Sequence, residues 1–300
     1  MVKRSVSPSV SENEDMACEY VSLRPPLHLD RRTFVAGSLV SGFALAAGPV
    51  RADTVIRTSA EGLETGMAQV PVGSEMMPAW RAVPADIPDP PVILVIQEIF
   101  GVHEYIKDVC RRLAQAGYMA IAPELYFRQG DPSAYDDMAV LMRDVVSKVD
   151  DQQVLSDLDA VVLWARQNGG NTERLGITGF CWGGRIAWLF CAHHDKVRAG
   201  VVWYGRLVGS EDVVQPIDIA HRLHGPVLGL YGGQDTGIPL DTVEAMQRAL
   251  EQGGETAKAS RIVVYPNAPH AFHADYRPSY RAQEAADGWE KALDWFEKHL

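Results

Sequence analysis

Two kinds of hydrophobic pattern alternate along the chain from about residue 90 onward. Short, fully apolar runs of strand length are separated by longer runs in which apolar side chains recur every three or four positions. The first pattern predicts buried parallel strands and the second predicts amphipathic helices. The predicted strands are residues 92–96, 118–122, 174–178, 197–204, 226–231 and 261–265. The predicted helices are residues 105–116, 151–167, 185–190, 240–252 and 282–299.

This alternation of strands and helices predicts a mostly parallel sheet that helices cover on both faces. Residues 54–91 have the composition of antiparallel edge strands that lead into this sheet. The chain shows neither an internal repeat nor a linker that would divide it further. We therefore expect residues 53–300 to form one α/β domain.

The first part of the chain has the features of a targeting segment. Arg31 and Arg32 precede an apolar run over residues 35–50, and small residues follow near Ala52. This arrangement resembles a twin-arginine export signal, and the run is shorter than the roughly 20 apolar residues that span a membrane. We expect residues 1–52 to be a disordered leader with this signal. The protein would then be periplasmic or otherwise exported, with a cytoplasmic location as the alternative.

Charge and cysteine usage exclude several classes of function. The formal net charge is −11, and no stripe of Lys and Arg interleaves with aromatic residues, so we expect neither nucleic-acid binding nor stable membrane association. None of the four cysteines forms a C-x-x-C pair, so a zinc site has no support and we expect no metal. Cys110 and Cys191 lie in helix-like runs and are expected to be buried, although sequence alone leaves their pairing open.

Residues 179–184 have the sequence G-F-C-W-G-G and lie between a predicted strand and a predicted helix. This context is typical of a nucleophile elbow, here with cysteine at the position that more often holds serine. The tight turn would expose Cys181 above the sheet as a nucleophile. The backbone N–H of Trp182 would then stabilise a developing oxyanion.

A cysteine nucleophile needs a base, and the base needs a group that orients it. Asp235 and His270 each follow a predicted strand, and the order nucleophile, acid, histidine is that of the α/β-hydrolase fold. The carboxyl ends of parallel strands meet at one edge, so all three would lie together. Ile99 follows the most apolar strand and would supply the second oxyanion N–H. Glu98 would lie close to the elbow, where a carboxylate opposes formation of a thiolate.

Five motifs together resemble the dienelactone hydrolase family, from about residue 60 to the C-terminus. They are Q-E-I-F-G at 97–101, P-E-L-Y at 123–126, G-F-C-W-G-G at 179–184, G-G-Q-D at 232–235 and H-A-F at 270–272. The members of this family are carboxymethylenebutenolidases and related esterases. The resemblance therefore implies a cofactor-free carboxylic ester hydrolase that acts on small esters or lactones through an acyl thioester. It implies Cys181 as nucleophile, His270 as base and Asp235 as its orienting group. It also implies that Glu98 keeps the resting thiol protonated and takes its proton when substrate binds.

One position departs from the family pattern. Family members specific for dienelactone hold the substrate carboxylate with arginines, one of which lies four residues after the catalytic histidine, where this chain has Ala274. We therefore expect a broader or different ester specificity. Expected substrate contacts come from residues in or beside the motifs: Phe100, Tyr126, Arg128, Phe272 and Arg277.

Two other classes of function remain open from the sequence. A catalytically silent ligand-binding protein could use the same fold, and so could a peptidase or an acyltransferase, because these share the triad chemistry and differ in their loops. A thiol-redox role has less support, since no other cysteine lies near Cys181 in the sequence. We expect a monomer or a small homo-oligomer.

Overall fold

An eight-stranded sheet forms the centre of the described part of the protein, which is a computed structural model covering residues 56–210 and 212–300. The predicted leader, residues 1–52, lies outside the described residues. The strands are β1 (Leu63–Val72), β2 (Glu75–Pro84), β3 (Pro91–Ile96), β4 (Met119–Pro123), β5 (Asn171–Phe180), β6 (Val197–Trp203), β7 (Val227–Gly232) and β8 (Arg261–Tyr265).

The order of the strands across the sheet is β1-β2-β4-β3-β5-β6-β7-β8. Strands β3 to β8 are mutually parallel, whereas β1 and β2 form an antiparallel hairpin that joins the sheet through β2 and β4. The predicted mostly parallel α/β architecture is confirmed, and so are antiparallel strands within residues 54–91. Strand β1 lies at the edge, and β2 lies between β1 and β4.

The helices are α1 (Glu104–Gln115), α2 (Met138–Asp144), α3 (Asp151–Gln167), α4 (Trp182–His193), α5 (Pro216–Ile219), α6 (Leu240–Gln252), α7 (Glu255–Ala259) and α8 (Ala282–His299). The predicted bounds of α3, α6 and α8 agree with the structure residue for residue. Helices α2, α5 and α7 were not predicted, because each is too short to show a clear helical period.

The burial of the strands explains their sequence patterns. The residues of β3 from Val92 to Ile96 have no exposed surface, as expected for a central parallel strand covered on both faces. From Gly66 to Val72, strand β1 instead alternates between exposed residues and partly or fully buried ones, because successive side chains point to opposite faces of the strand. The sheet and its helices form a single domain.

Two sequence expectations outside the sheet can be compared with the fold. Cys110 on α1 and Cys191 on α4 are buried free thiols, which confirms their expected burial and shows no bridge between them. Within residues 56–210 and 212–300, no helix is both long and apolar enough to cross a membrane.

Candidate active site

Cys181 lies in the tight turn between strand β5 and helix α4. Its backbone has φ 57° and ψ −112°, a left-handed conformation that is strained for a residue with a side chain. The two flanking glycines are required by close approaches of the backbone. A Cβ atom on Gly179 would lie 2.1 Å from the Gly183 carbonyl oxygen, and one on Gly183 would lie 2.4 Å from the Gln97 carbonyl oxygen. The glycines therefore allow the turn that the sequence motif predicts.

Asp235 and His270 come from the loops that follow β7 and β8. The Asp235 Oδ2 atom lies 2.6 Å from His270 Nδ1. The other carboxylate oxygen, Oδ1, accepts hydrogen bonds from the backbone N–H groups of Gly237 at 2.8 Å and Ile238 at 3.2 Å. Because the turn fixes one oxygen, the second is held towards the imidazole ring.

His270 connects Asp235 to Cys181. Burial alone would lower the pKa of His270, but its electrostatic interactions with Cys181 and Asp235 and its hydrogen bond with Asp235 outweigh burial and raise the pKa to about 10. These three side chains, predicted from separate motifs, therefore lie together at the carboxyl ends of β5, β7 and β8. Each is nearly inaccessible to solvent, with 3% of Cys181, 5% of Asp235 and 6% of His270 exposed.

Glu98 lies just beyond the end of β3 and is completely buried. Its Oε2 atom accepts a hydrogen bond from the Tyr276 hydroxyl and lies 3.6 Å from His103 Nε2, and its Oε1 atom lies 3.8 Å from Arg277 Nη2. Burial by itself would raise the pKa of Glu98, but the Arg277 charge and the His103 and Tyr276 contacts outweigh it and lower the pKa to about 2. Glu98 is therefore an ionised carboxylate held by three side chains.

Arg277 links this carboxylate to the elbow. Although burial opposes its charge, the negative charges of Glu98 and Cys181 and a hydrogen bond from its Nε to the Tyr276 hydroxyl, 3.0 Å long, raise its pKa. The guanidinium carbon lies 4.8 Å from the centre of the Phe100 ring, a cation–π distance. Arg277 thus interacts electrostatically with both acidic groups of the site.

A cleft of about 380 Å³ opens beside the Cys181 side chain. Its lining residues come from four separate segments of the chain: Ile99, Met142, Val146, Cys181, Trp182, Arg185 and Arg206. Burial lowers the pKa of Arg206, while nearby Cys181 opposes that effect. The two residues predicted to supply oxyanion N–H groups, Ile99 and Trp182, therefore lie at the same cleft as Cys181.

Residues 77–300 match the sequence model of the dienelactone hydrolase family. The chain belongs to this family. A relative from Methylorubrum extorquens named "Putative carboxymethylenebutenolidase" is 55% identical over 93% of this chain and 96% of its own length. A protein of the same name from Escherichia coli is 52% identical over 86% of this chain and 96% of its own length.

A solved structure from Klebsiella pneumoniae, described as a "Putative Dienelactone Hydrolase", superposes with a TM-score of 0.76. It is 54% identical, and the match covers 79% of this chain and 99% of that chain. The family resemblance seen in the five motifs is therefore confirmed, together with the α/β-hydrolase fold. This chain is a hydrolase of the dienelactone hydrolase family.

The residues expected to contact substrate in this family member lie in different environments, and none of them is among the lining residues of the cleft. Tyr126 is buried with its ring 4.8 Å from that of Trp182, and Phe100 lies under Arg277. Phe272 has no exposed surface and packs against core aromatic rings. Their contact with substrate stays a prediction.

Arg128 is bound to acidic side chains. Its Nη1 atom donates to Asp157 Oδ2 and its Nε to Glu75 Oε2, both at 2.6 Å. Sequence reasoning missed Arg206, although its position three residues after the end of β6 was a usable signal. It also missed Met142 and Val146, because neither the short helix α2 nor the turn after it was predicted.

Proposed function

We propose that this protein hydrolyses ester or lactone bonds with Cys181 as nucleophile, His270 as proton carrier and Asp235 as the group that orients the imidazole. The observation that carries the proposal is the 2.6 Å contact between Asp235 and His270, together with the electrostatic interaction of His270 with Cys181 at a strained elbow. Nucleophile, base and orienting group within hydrogen-bond reach are the arrangement that covalent acyl transfer requires.

The first half-reaction would form an acyl thioester. In the reacting state, which would form when substrate binds, Cys181 is a thiolate and the imidazole of His270, whose pKa is raised, holds a proton. The sulfur attacks the carbonyl carbon, and the C=O electron pair moves to oxygen. The backbone N–H groups of Ile99 and Trp182 would stabilise that oxyanion. The C–O bond to the leaving group then breaks, and its oxygen takes the proton from His270.

The second half-reaction would release the acid. A water molecule attacks the thioester carbon while His270 accepts its proton, which forms a second oxyanion in the same place. The C–S bond breaks, Cys181 leaves as a thiolate, and His270 again holds the proton. The acid product departs as a carboxylate with its own proton lost to solvent, so atoms and charge balance over the cycle.

The role of Glu98 is a further part of the proposal. The family resemblance implies that this carboxylate takes the thiol proton when substrate binds. In the described structure Glu98 is held by Tyr276, Arg277 and His103, so that step would need at least part of this set of contacts to loosen. A resting thiol protected in this way would resist oxidation and stray electrophiles.

The substrate would be a small ester or lactone. Ile99, Met142 and Val146 give the cleft apolar walls, which suit the apolar part of such a substrate. Relatives named for carboxymethylenebutenolidase support a lactone, as that name implies. The guanidinium of Arg206 lies at the cleft. It belongs to a different segment of the chain from Ala274, the position at which dienelactone-specific family members have an arginine.

A comparison of cysteine variants tests the proposal. Hydrolysis of p-nitrophenyl acetate and of a lactone panel that includes a dienelactone would be measured for the wild type, Cys181→Ala and Cys191→Ala. Cys191 is a buried free thiol in helix α4, so its variant controls for the loss of a thiol as such. We expect no turnover with Cys181→Ala and retained turnover with Cys191→Ala. Undiminished hydrolysis by folded Cys181→Ala would exclude the proposed mechanism.

A further inference from the structure

The segment between β8 and α8, residues 266–281, is called here the histidine loop. It carries His270, and it also carries Tyr276 and Arg277, two of the three side chains that hold Glu98. The loop has no helix or strand and is folded by turns, among them Ala274 N–H to Ala271 C=O at 3.0 Å. The placement of base and carboxylate therefore depends on what holds this loop.

The backbone of the histidine loop is strained directly beside the proposed base. Ala271 has φ 58°, in the left-handed region that L-residues with a side chain rarely adopt. Such a conformation persists only when the surrounding structure determines it through other contacts. Within the loop, Arg281 N–H bonds to Phe272 C=O at 2.9 Å, but the loop also needs anchors on the body of the domain.

One face of helix α1 supplies two such anchors. The Tyr105 hydroxyl and His273 Nδ1 share a hydrogen bond of 2.6 Å. Arg112 Nη2 donates to Asp275 Oδ2 at 2.9 Å. Tyr105 and Arg112 are seven residues apart, which places them two turns apart on the same side of the helix. The anchored residues, His273 and Asp275, lie in the sequence between His270 and the two residues that hold Glu98.

A third residue of the same helix face fixes the second anchor. Asp108, three residues after Tyr105, accepts a hydrogen bond of 2.7 Å from Arg112 Nε. Its Oδ1 atom accepts another from Arg111 Nη2 at 2.9 Å and is also bonded to the Thr58 backbone N–H. Asp108 is fully buried, so the guanidinium of Arg112 is held between two carboxylates of low mobility.

Burial makes these contacts depend on one another. Tyr105 and Asp108 have no exposed surface, and only 2% of His273 and 3% of Asp275 are exposed. Removal of one partner from a buried charged pair leaves the other without compensation, which favours local rearrangement. We expect the histidine loop to rearrange rather than helix α1, because the loop is folded by turns and the helix has a continuous hydrogen-bond pattern.

We propose that Tyr105, Asp108 and Arg112 of helix α1 are positioning residues, which set the geometry of His270 and Glu98 through His273 and Asp275. None of the three carries a role in bond making. The inference rests on the proposed function in one respect, the role of His270 as proton carrier. Because a displacement of about 1 Å in a reacting group can cost up to about 100-fold in rate, the anchors would control turnover from a distance.

The test uses the full chain and ester hydrolysis. Arg112→Met removes one anchor, Arg112→Lys restores a cation, and Arg248→Met replaces an exposed arginine on α6 as the matched control. We expect kcat of Arg112→Met to fall by about 10- to 100-fold with KM changed by less than about threefold. Arg112→Lys should recover part of the loss, and Arg248→Met should match the wild type.

A second readout separates positioning from stability alone. The rate of Cys181 alkylation by iodoacetamide reports the thiolate that His270 stabilises, so its pH profile should move to higher pH in Arg112→Met. Tyr105→Phe, which deletes only one hydroxyl, should move the profile the same way and covers the case in which Arg112→Met does not fold. Unchanged kcat and profiles, with only a lower melting temperature, would overturn the inference. Activity retained in Cys181→Ala would instead refute the proposed function.

Discussion

Protonation of His273 is expected to couple the stability of the protein to pH. Its imidazole is buried against the rings of Phe180 and Trp203, at centroid distances of 5.5 and 4.2 Å. Burial and the nearby charge of Arg112 lower its pKa from 6.5 to about 3, although Glu98 acts in the opposite direction. The native protein therefore holds His273 neutral at a pH where the unfolded chain would protonate it.

The sign and size of the effect follow from these two pKa values. Below pH 6.5 the unfolded state gains a proton that the native state refuses until about pH 3, so the free energy of unfolding falls as the pH falls through this window. Each pH unit costs about 1.4 kcal/mol, which makes the loss about 2 kcal/mol between pH 6.5 and about pH 5. His270, whose pKa is raised to about 10, stabilises the native state fully at low pH and loses this effect only as the pH rises above 6.5. It therefore does not produce the loss of stability between pH 6.5 and about pH 5.

Urea unfolding at about pH 6.5 and about pH 5 measures this loss. His273→Gln keeps a hydrogen-bonding group near Tyr105 but cannot titrate, so its stability should fall by about 2 kcal/mol less than that of the wild type. His221→Gln, which changes an exposed histidine, serves as the control and should keep the wild-type dependence. Equal pH dependence in the wild type and in His273→Gln would refute the reasoning.

Three further predictions concern other parts of the chain. Folding lowers the pKa of Glu98 from 4.5 to about 2, so its contribution to the free energy of unfolding is complete above pH 4.5 and is lost as the pH falls through about 2. The free energy of unfolding of Glu98→Gln should therefore fall by about 3 kcal/mol less than that of the wild type over this acid range. Gly183→Ala places a Cβ 2.4 Å from the Gln97 carbonyl oxygen, so we expect loss of soluble, folded protein on expression, whereas normal yield and melting temperature would contradict the described turn. Lysine at both Arg31 and Arg32 should abolish export in cell fractionation if the leader is a twin-arginine signal, and equal export of this variant would exclude that signal.

The central site could be predicted from sequence because its residues follow strands. Cys181, Asp235 and His270 each follow a strand of the parallel sheet, and the carboxyl ends of parallel strands meet at one edge of the sheet. Periodicity therefore placed three distant residues together without knowledge of any contact. The glycines around Cys181 added a local constraint that few other turns require.

The surroundings of Glu98 could not be predicted in the same way. Tyr276 lies in a turn and His103 immediately precedes helix α1, and no periodic pattern relates either residue to Glu98. The sequence motif around Arg277 suggested a substrate contact, whereas in the structure its guanidinium lies beside the Glu98 carboxylate. Such contacts depend on how irregular loops fold, and one sequence carries no signal for that.

The cleft shows a related limit. Helix α2 has seven residues, too few for a clear hydrophobic period, so the contribution of Met142 to the cleft wall was not visible. The position of Arg128 beside the P-E-L-Y motif predicts a substrate contact, but in the structure Asp157 and Glu75 bind its guanidinium. Which acidic side chain an arginine binds depends on how the chain folds around it, so the sequence alone does not predict these ion pairs.

Direct detection of the acyl enzyme tests the central claim, that Cys181 forms a thioester during hydrolysis. The protein would be mixed with p-nitrophenyl acetate, quenched in acid within one turnover and measured by intact mass, with peptide mapping to locate the modification. We predict one added acetyl group on Cys181, absent from Cys181→Ala and retained in Cys191→Ala. Turnover without any adduct on Cys181 would contradict this claim. So would an acetyl group that forms on another residue and is hydrolysed as fast as the substrate turns over.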